Sequence, residues 1–335
     1  MTTSLTRTRK ATAVVAATVA AALGAAACSS SSGGKTINLV AYSVPKPAYD
    51  ALASAFAQTP QGKGFKLNAS YGPSGTQRDA VLNGQKADYV AFSTESDLTA
   101  LVPDKVAPSW NSGPTKGLVS DSVVVITVQK GNPLHITGWD DLIKPGVKIV
   151  TPDPASSGSA KWNILAAYSH VLADGGTAAE ASNYLKEFFS HVVSRAASGS
   201  DAMQQFLNGA GNVLISYEDE AIDARQAGES VDYIVPNETV LIQNPAAVTK
   251  TAPPLAKDFL SFAESEKGQE IFASKGFRPV LPNTKIPTVQ GANDPSNPFP
   301  QPAHLTTIDD FGGWSAVNDK FFSDNGIVTK IEESS

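Results

Sequence analysis

Short runs of β-branched and aromatic residues alternate along this chain with longer segments of helical periodicity, and that alternation restricts it to an α/β fold. The runs 36–44 (TINLVAYSV), 65–72, 87–93, 121–129 (DSVVVITVQ), 147–152 and 212–218 read as strands. The segments 48–58, 76–84, 160–173 (AKWNILAAYSHVLA), 180–193, 201–209 and 254–276 read as helices. Gly84, Gly209 and Gly276 stand where left-handed C-caps are expected. No internal repeat is present. After Pro282 the composition shifts to Pro, Asn and Asp, and a structured pattern returns over 308–322 (IDDFGGWSAVNDKFF). That tail is expected to wrap on the domain.

The N-terminus carries an address rather than a fold. MTTSLTRTRK is basic, Ala11 to Ala27 is apolar and mostly alanine, and small residues precede Cys28. These are the parts of a secretory signal over 1–27, and the apolar run falls short of the ~20 residues a membrane span needs. Cys28 after Ala25-Ala26-Ala27 resembles a bacterial lipobox, which implies lipidation of its thiol and a membrane anchor. It is the chain's single cysteine, so no internal disulfide can form. SSSSGG then makes residues 28–35 a lipidated cysteine with a flexible tether. The remaining ~300 residues exceed one ordinary core and suit two lobes. The net charge of −6 becomes more acidic once the leader is removed, which excludes nucleic acid as a partner.

Open α/β sheets bind ligands beyond the carboxyl ends of their strands. Two strand-to-helix junctions share a chemistry there: SYGPSGTQ (70–77) and DPASSGSA (153–160). Each offers a serine followed by glycine at a helix start, Ser74-Gly75 and Ser157-Gly158. The serine is expected to cap the helix, and the glycine to let a ligand reach the free backbone N–H groups. Those donors and the helix dipole favour an anion. Neither turn has a carboxylate immediately beside it, and Arg78 and Lys161 read as solvated surface charges.

Other chemistries fail at named positions. GGKT (33–36) lacks the first glycine of a phosphate loop, because residue 29 is Ser29, and a strand follows where a helix should. A Ser-x-x-Lys nucleophile fails because Gly158 lies three before Lys161, and no G-x-S-x-G elbow occurs. His135, His170, His191 and His304 are too scattered for metal-ligand spacing and read as surface or helix residues. YEDEA (217–221) reads as a solvated helix start, and Trp139, Trp162 and Trp314 as core or inter-lobe packing. No catalytic residue, metal or cofactor is expected.

Five stretches carry a resemblance: GKTINLVAYSV, SYGPSGTQRDAVLNGQKADYV, VQKGNPLHITGWDDLIKPGVKIVTPDPASSGSAKWNILAAY, GNVLISYEDEA and KGQEIFASKGFRPV. Together with the tail FGGWSAVNDKFF they make the chain similar to the sulfate/thiosulfate-binding proteins that feed ABC importers. The resemblance implies a type II periplasmic-binding-protein fold, with two α/β lobes closing on one oxyanion like a hinged clamp. It places lobe I at 36–119 plus about 241–280, lobe II at 120–240, and a C-terminal extension at 281–335. Carried over, the ligand donors are the N–H of Ser43, the N–H or hydroxyl of Ser74, and the hydroxyl of Ser157 with the N–H groups of Gly158 and Ser159. The N–H of Gly199 completes the backbone donors, and Tyr217 stands where the family has a tryptophan. The implied ligand is sulfate, with thiosulfate or molybdate as alternatives, and the implied partners are the importer's membrane subunits, approached by a monomer at the outer face of the cell membrane. A secreted hydrolase is the reading from another class. An all-donor site would bind a fully ionised oxyanion independently of pH between about 5 and 8.

Overall fold

The structure, a computed structural model, describes residues 35–333; Cys28, the leader before it and the tether after it up to residue 34 lie outside them. Among the described residues ten strands run in chain order: β1 (Thr36–Tyr42), β2 (Lys66–Gly72), β3 (Tyr89–Ala91), β4 (Leu118–Gln129), β5 (Ile149–Pro152), β6 (Val192–Ala196), β7 (Val213–Tyr217), β8 (Val231–Ile234), β9 (Glu238–Val248) and β10 (His304–Thr306). Their order in the sheet is β2-β1-β3-β9-β4-β7-β5-β6, with β8 also on β4 and β10 on β9. β1 to β3 are mutually parallel on one side, and β5 to β7 on the other.

Two long antiparallel strands join these sides. The first half of β4 pairs with the middle of β9, and its second half turns to β7 and β8. The last residues of β9, Ala246–Val248, pair with β3. Each of the two strands therefore belongs to both α/β halves, and the β4–β9 ladder is the seam between them.

The helices are α1 (Lys46–Phe56), α2 (Ser74–Leu82), α3 (Glu95–Thr99), α4 (Gly158–Ala173), α5 (Ala178–Ser190), α6 (Gly199–Leu207), α7 (Glu218–Gln226), α8 (Pro254–Ala263), α9 (Glu266–Ser274), α10 (Gly313–Val317) and α11 (Ile327–Glu333). α1 shows how the pattern becomes packing. Its buried Ala48, Tyr49, Leu52 and Phe56 recur at helical spacing, and Phe56 meets Phe65 and Phe259 at centroid distances of 4.9 and 5.4 Å. Burying side chains of this size stabilises the fold by about 1.5–3 kcal/mol each. α4 is buried on nearly every side because the tail covers the face turned away from the sheet. Trp314 sits edge-on to Trp162 at 4.7 Å, and Phe321 edge-on to Tyr168 at 4.9 Å. Trp139, Trp162 and Trp314 are all buried, as their type suggested.

Several boundaries differ from the sequence reading. The segment 254–276 is two helices, α8 and α9, because the Ser265 hydroxyl accepts from Gly268 N and starts a new helix. The helix expected over 180–193 stops at Ser190, and Val192 begins β6 beside β5. Proline at 245 hides β9 from a periodicity search, yet β9 is one of the two seam strands. YEDEA is not solvated: Glu218, Asp219 and Glu220 at the start of α7 are buried, Glu218 completely. Arg278 explains the last of these, its Nε donating to Glu218 Oε2 at 2.7 Å and its Nη2 to Oε1 at 3.1 Å. His170 lies on α4 but is buried between Trp139 and Tyr184.

Candidate functional site

Six loops leave the carboxyl ends of parallel strands toward the seam. From the first half, β1 delivers Ser43, β2 delivers Ser74, and β3 delivers Ser93. From the second, β5 leads to Ser157, β6 to Gly199, and β7 ends on Tyr217. Helices start at or just beyond all six, so backbone N–H groups and positive dipole ends converge there.

Ser93 is the meeting point of the two halves, and the sequence reading passed over it. Its N–H donates to Ser74 Oγ at 3.0 Å, and its carbonyl accepts from Trp162 Nε1 at 2.9 Å and from Asn244 Nδ2 at 3.1 Å. Its hydroxyl lies 2.7 Å from the Tyr217 hydroxyl. Gly158 faces the same residue: a Cβ there would sit 2.6 Å from Ser93 Oγ. The neighbouring turns touch as well, Gly75 N donating to Ser156 O at 3.0 Å. Ser74, Ser157, Gly158, Ser159 and Tyr217 thus gather round one buried point. The signal for Ser93 was available, since ADYVAFS ends a strand by the rule that singled out the other turns.

Ser43 and Gly199 meet at a second corner. A Cβ on Gly199 would lie 3.1 Å from Val44 Cγ2 and 2.9 Å from Glu220 Oε1. Glu220 Oε2 accepts from Tyr217 N at 3.2 Å, which ties this corner to the first. Ser43, Ser200, Asp219 and Glu220 line a cavity at the cleft mouth. Burial raises the Glu220 carboxyl to about 7, although the Tyr217 N–H pulls the other way. Asp219 is raised too, by burial first and then by Glu220, despite a 2.6 Å bond from Ser122 Oγ. The Tyr42 hydroxyl, electrostatically coupled to Tyr217, Asp219 and Glu220, is buried without a partner.

Three expectations change on this geometry. Neither serine hydroxyl caps its helix: Pro73 holds the cap position of α2, and Ser157 holds that of α4 without a side-chain cap bond. The Ser74 hydroxyl instead donates to Asp97 Oδ2 at 2.7 Å, so this turn does have a carboxylate beside it in space. Sequence distance hid Asp97, which α3 brings back over α2. Nor are Arg78 and Lys161 free surface charges. Arg78 pairs with Asp97 at 2.7 Å and with Asp79 at 2.8 Å. Lys161 is partly buried, donates to Asn318 Oδ1 at 3.1 Å and lies over Phe322; burial lowers its pKa, Asp97 opposes that, and Arg78 adds to it.

Two α/β halves, a two-strand seam and a cleft ringed by strand ends and helix starts define the class of type II periplasmic binding proteins. Residues 37–278 match the bacterial extracellular solute-binding proteins, and the chain belongs to that family. It is 36% identical over 309 residues, 89% of this chain and 87% of the other, to a sulfate-binding protein of Synechococcus elongatus. A thiosulfate-binding protein of Pseudomonas aeruginosa is 28% identical over 307 residues, 87% of this chain and 90% of that one. Among solved structures, the sulfate-binding protein SubI of Mycobacterium tuberculosis superposes with a TM-score of 0.80 at 41% identity, covering 86% of this chain and 99% of its own. Among the described residues no helix is long and apolar enough to cross a membrane.

Proposed function

We propose that this protein captures sulfate outside the cytoplasm and delivers it to an ABC importer, binding without a catalytic step. The observation that carries the reading is the convergence of the α4 and α6 helix starts, with Ser157, Gly158, Ser159 and Gly199, on the loops holding Ser43 and Ser74. Such starts present preorganised N–H donors to a dianion. Sulfate-binding relatives at 36% and 41% identity over most of the chain support the same ligand. The lobes are 36–119 plus about 241–280 and 120–240, closing about the β4–β9 seam, with 281–335 as the extension. Thiosulfate is the second reading, favoured by the relative that carries that name.

The test is calorimetry of the purified protein with sulfate, thiosulfate, molybdate and phosphate. Sulfate is expected to bind, and Ser157→Ala to weaken it by about 1–3 kcal/mol, the worth of one donor to a charged oxygen. Lys161→Ala should weaken it less, since its ammonium is engaged by Asn318. No heat with any of the four anions would refute the reading. A larger effect at Lys161 than at Ser157 would replace helix starts by side-chain charge.

Anchoring belongs to the same proposal: Cys28 takes a lipid and holds the monomer at the membrane face beside its importer. Cys28→Ser should move the protein from the membrane fraction to the soluble one with sulfate binding intact. A variant that stays in the membrane fraction through a salt wash would show that the cysteine is not the anchor.

A further inference from the structure

The site's donors are of two kinds, and the difference bears on what it admits. Helix-start N–H groups are fixed in direction and can only donate. The hydroxyls of Ser93 and Tyr217 form a buried pair across the cleft, 2.7 Å apart, in which either can be the donor. Each hydroxyl carries one proton and two acceptor lone pairs, so the pair can run its hydrogen bond in either direction. Among the described residues no other hydrogen bond to Ser93 Oγ or the Tyr217 oxygen fixes that direction. A ligand oxygen bearing a proton finds no partner at a helix start, whereas the hydroxyl pair can reverse and accept it.

We infer that the Ser93–Tyr217 hydroxyl pair is a reversible acceptor that lets the site hold a singly protonated tetrahedral oxyanion, of the monohydrogen phosphate type, as well as fully ionised sulfate. Tyr217 is then the residue that sets the breadth of selection. The inference rests on the anion-site reading above and extends it to a second ligand class. Glu220, held against Gly199 and bonded by Tyr217 N, adds an acceptor at the adjoining corner.

The experiment measures sulfate affinity by calorimetry, and inorganic phosphate by competition against sulfate, across the second ionisation of phosphate. Wild type is expected to bind both. Tyr217→Phe, which removes the reversible hydroxyl and keeps the ring, should raise the sulfate-to-phosphate affinity ratio by about tenfold or more, the cost of leaving one buried polar group unpaired. Ser93→Ala should raise it in the same direction, and provides the measurement if Tyr217→Phe fails to fold. In wild type, phosphate affinity should rise as pH rises through that ionisation, which converts dihydrogen phosphate into the monohydrogen form. A ratio unchanged in both variants, or phosphate that does not compete while sulfate binds, overturns the inference and leaves the sulfate reading standing. Absence of sulfate binding in wild type overturns both.

Discussion

Gly158→Ala is expected to weaken sulfate binding by about 10- to 100-fold. The Cβ would lie 2.6 Å from Ser93 Oγ, 2.7 Å from Ser93 Cβ and 3.0 Å from Thr94 Cγ2. All three atoms belong to the opposite half, so the added methyl group obstructs approach of the halves rather than folding of either. Forcing one methyl into a filled contact costs about 1–3 kcal/mol, which converts to the expected loss of affinity. Within its own helix the change is favourable, because alanine forms helix better than glycine by up to about 1 kcal/mol. Gly158 is not among the residues of positive φ, so its backbone accepts a side chain. Calorimetry and a melting curve without ligand separate the two effects. Wild-type affinity in the variant would mean that the ligand-bound cleft is wider than this one.

Arg278→Met is expected to destabilise the protein by about 3–5 kcal/mol, the penalty for stranding a buried charge. Arg278 grips the fully buried Glu218 through two nitrogens, donates to Pro300 O at 2.8 Å, and exchanges two backbone hydrogen bonds with Asp121. Burial lifts Asp121 to about 7 even with Arg278 pulling it down, and its Oδ1 has no partner. Glu218 is raised in the same way, by burial against the guanidinium's pull.

A carboxyl whose folded pKa lies above its unfolded value binds more protons in the native state, so stability falls as pH rises between the two values. For Asp121 that window runs from the ordinary carboxylate range to about 7. Without Arg278 both carboxyls shift further up and both windows widen. The loss should therefore be largest near pH 8 and shrink toward pH 5. Urea unfolding at the two pH values measures it, and Glu218→Gln added to Arg278→Met should recover part of the loss. A deficit below 1 kcal/mol, or one independent of pH, would show that stranding the buried Glu218 carboxylate is not what Arg278 prevents.

The α/β class and most element positions were legible because periodicity is a local property. α4 and β7 sit within a residue or two of their expected bounds. What escaped was decided at a distance. Ser74 gives its hydroxyl to Asp97, Ser93 meets Tyr217, and Glu218 of YEDEA is paired in the interior by Arg278, which comes back from beyond α9. Charge and polarity in a short window suggest solvent, and only tertiary pairing can overrule them. The serine–glycine turns were found by strand-end logic; the donor-only lining inferred from them failed at Glu220 and Asp97, which short-range reading could not place.

The seam also constrains the order in which the molecule can assemble. β3 has no neighbour on its far side until Ala246–Val248 have been made, and the first half of β4 lacks its partner until Leu241–Pro245 arrive. A chain emerging from the ribosome therefore displays Ser43, Ser74 and Ser93 on an incomplete, open-edged sheet through most of its synthesis. Pairings of such long sequence separation are slow, because loop-closure entropy is lost before any contact compensates it. The candidate site is thus among the last features to form. A nascent chain that acquires its two-sided architecture so late stays threadable for as long as β9 is missing, which would suit the export proposed above.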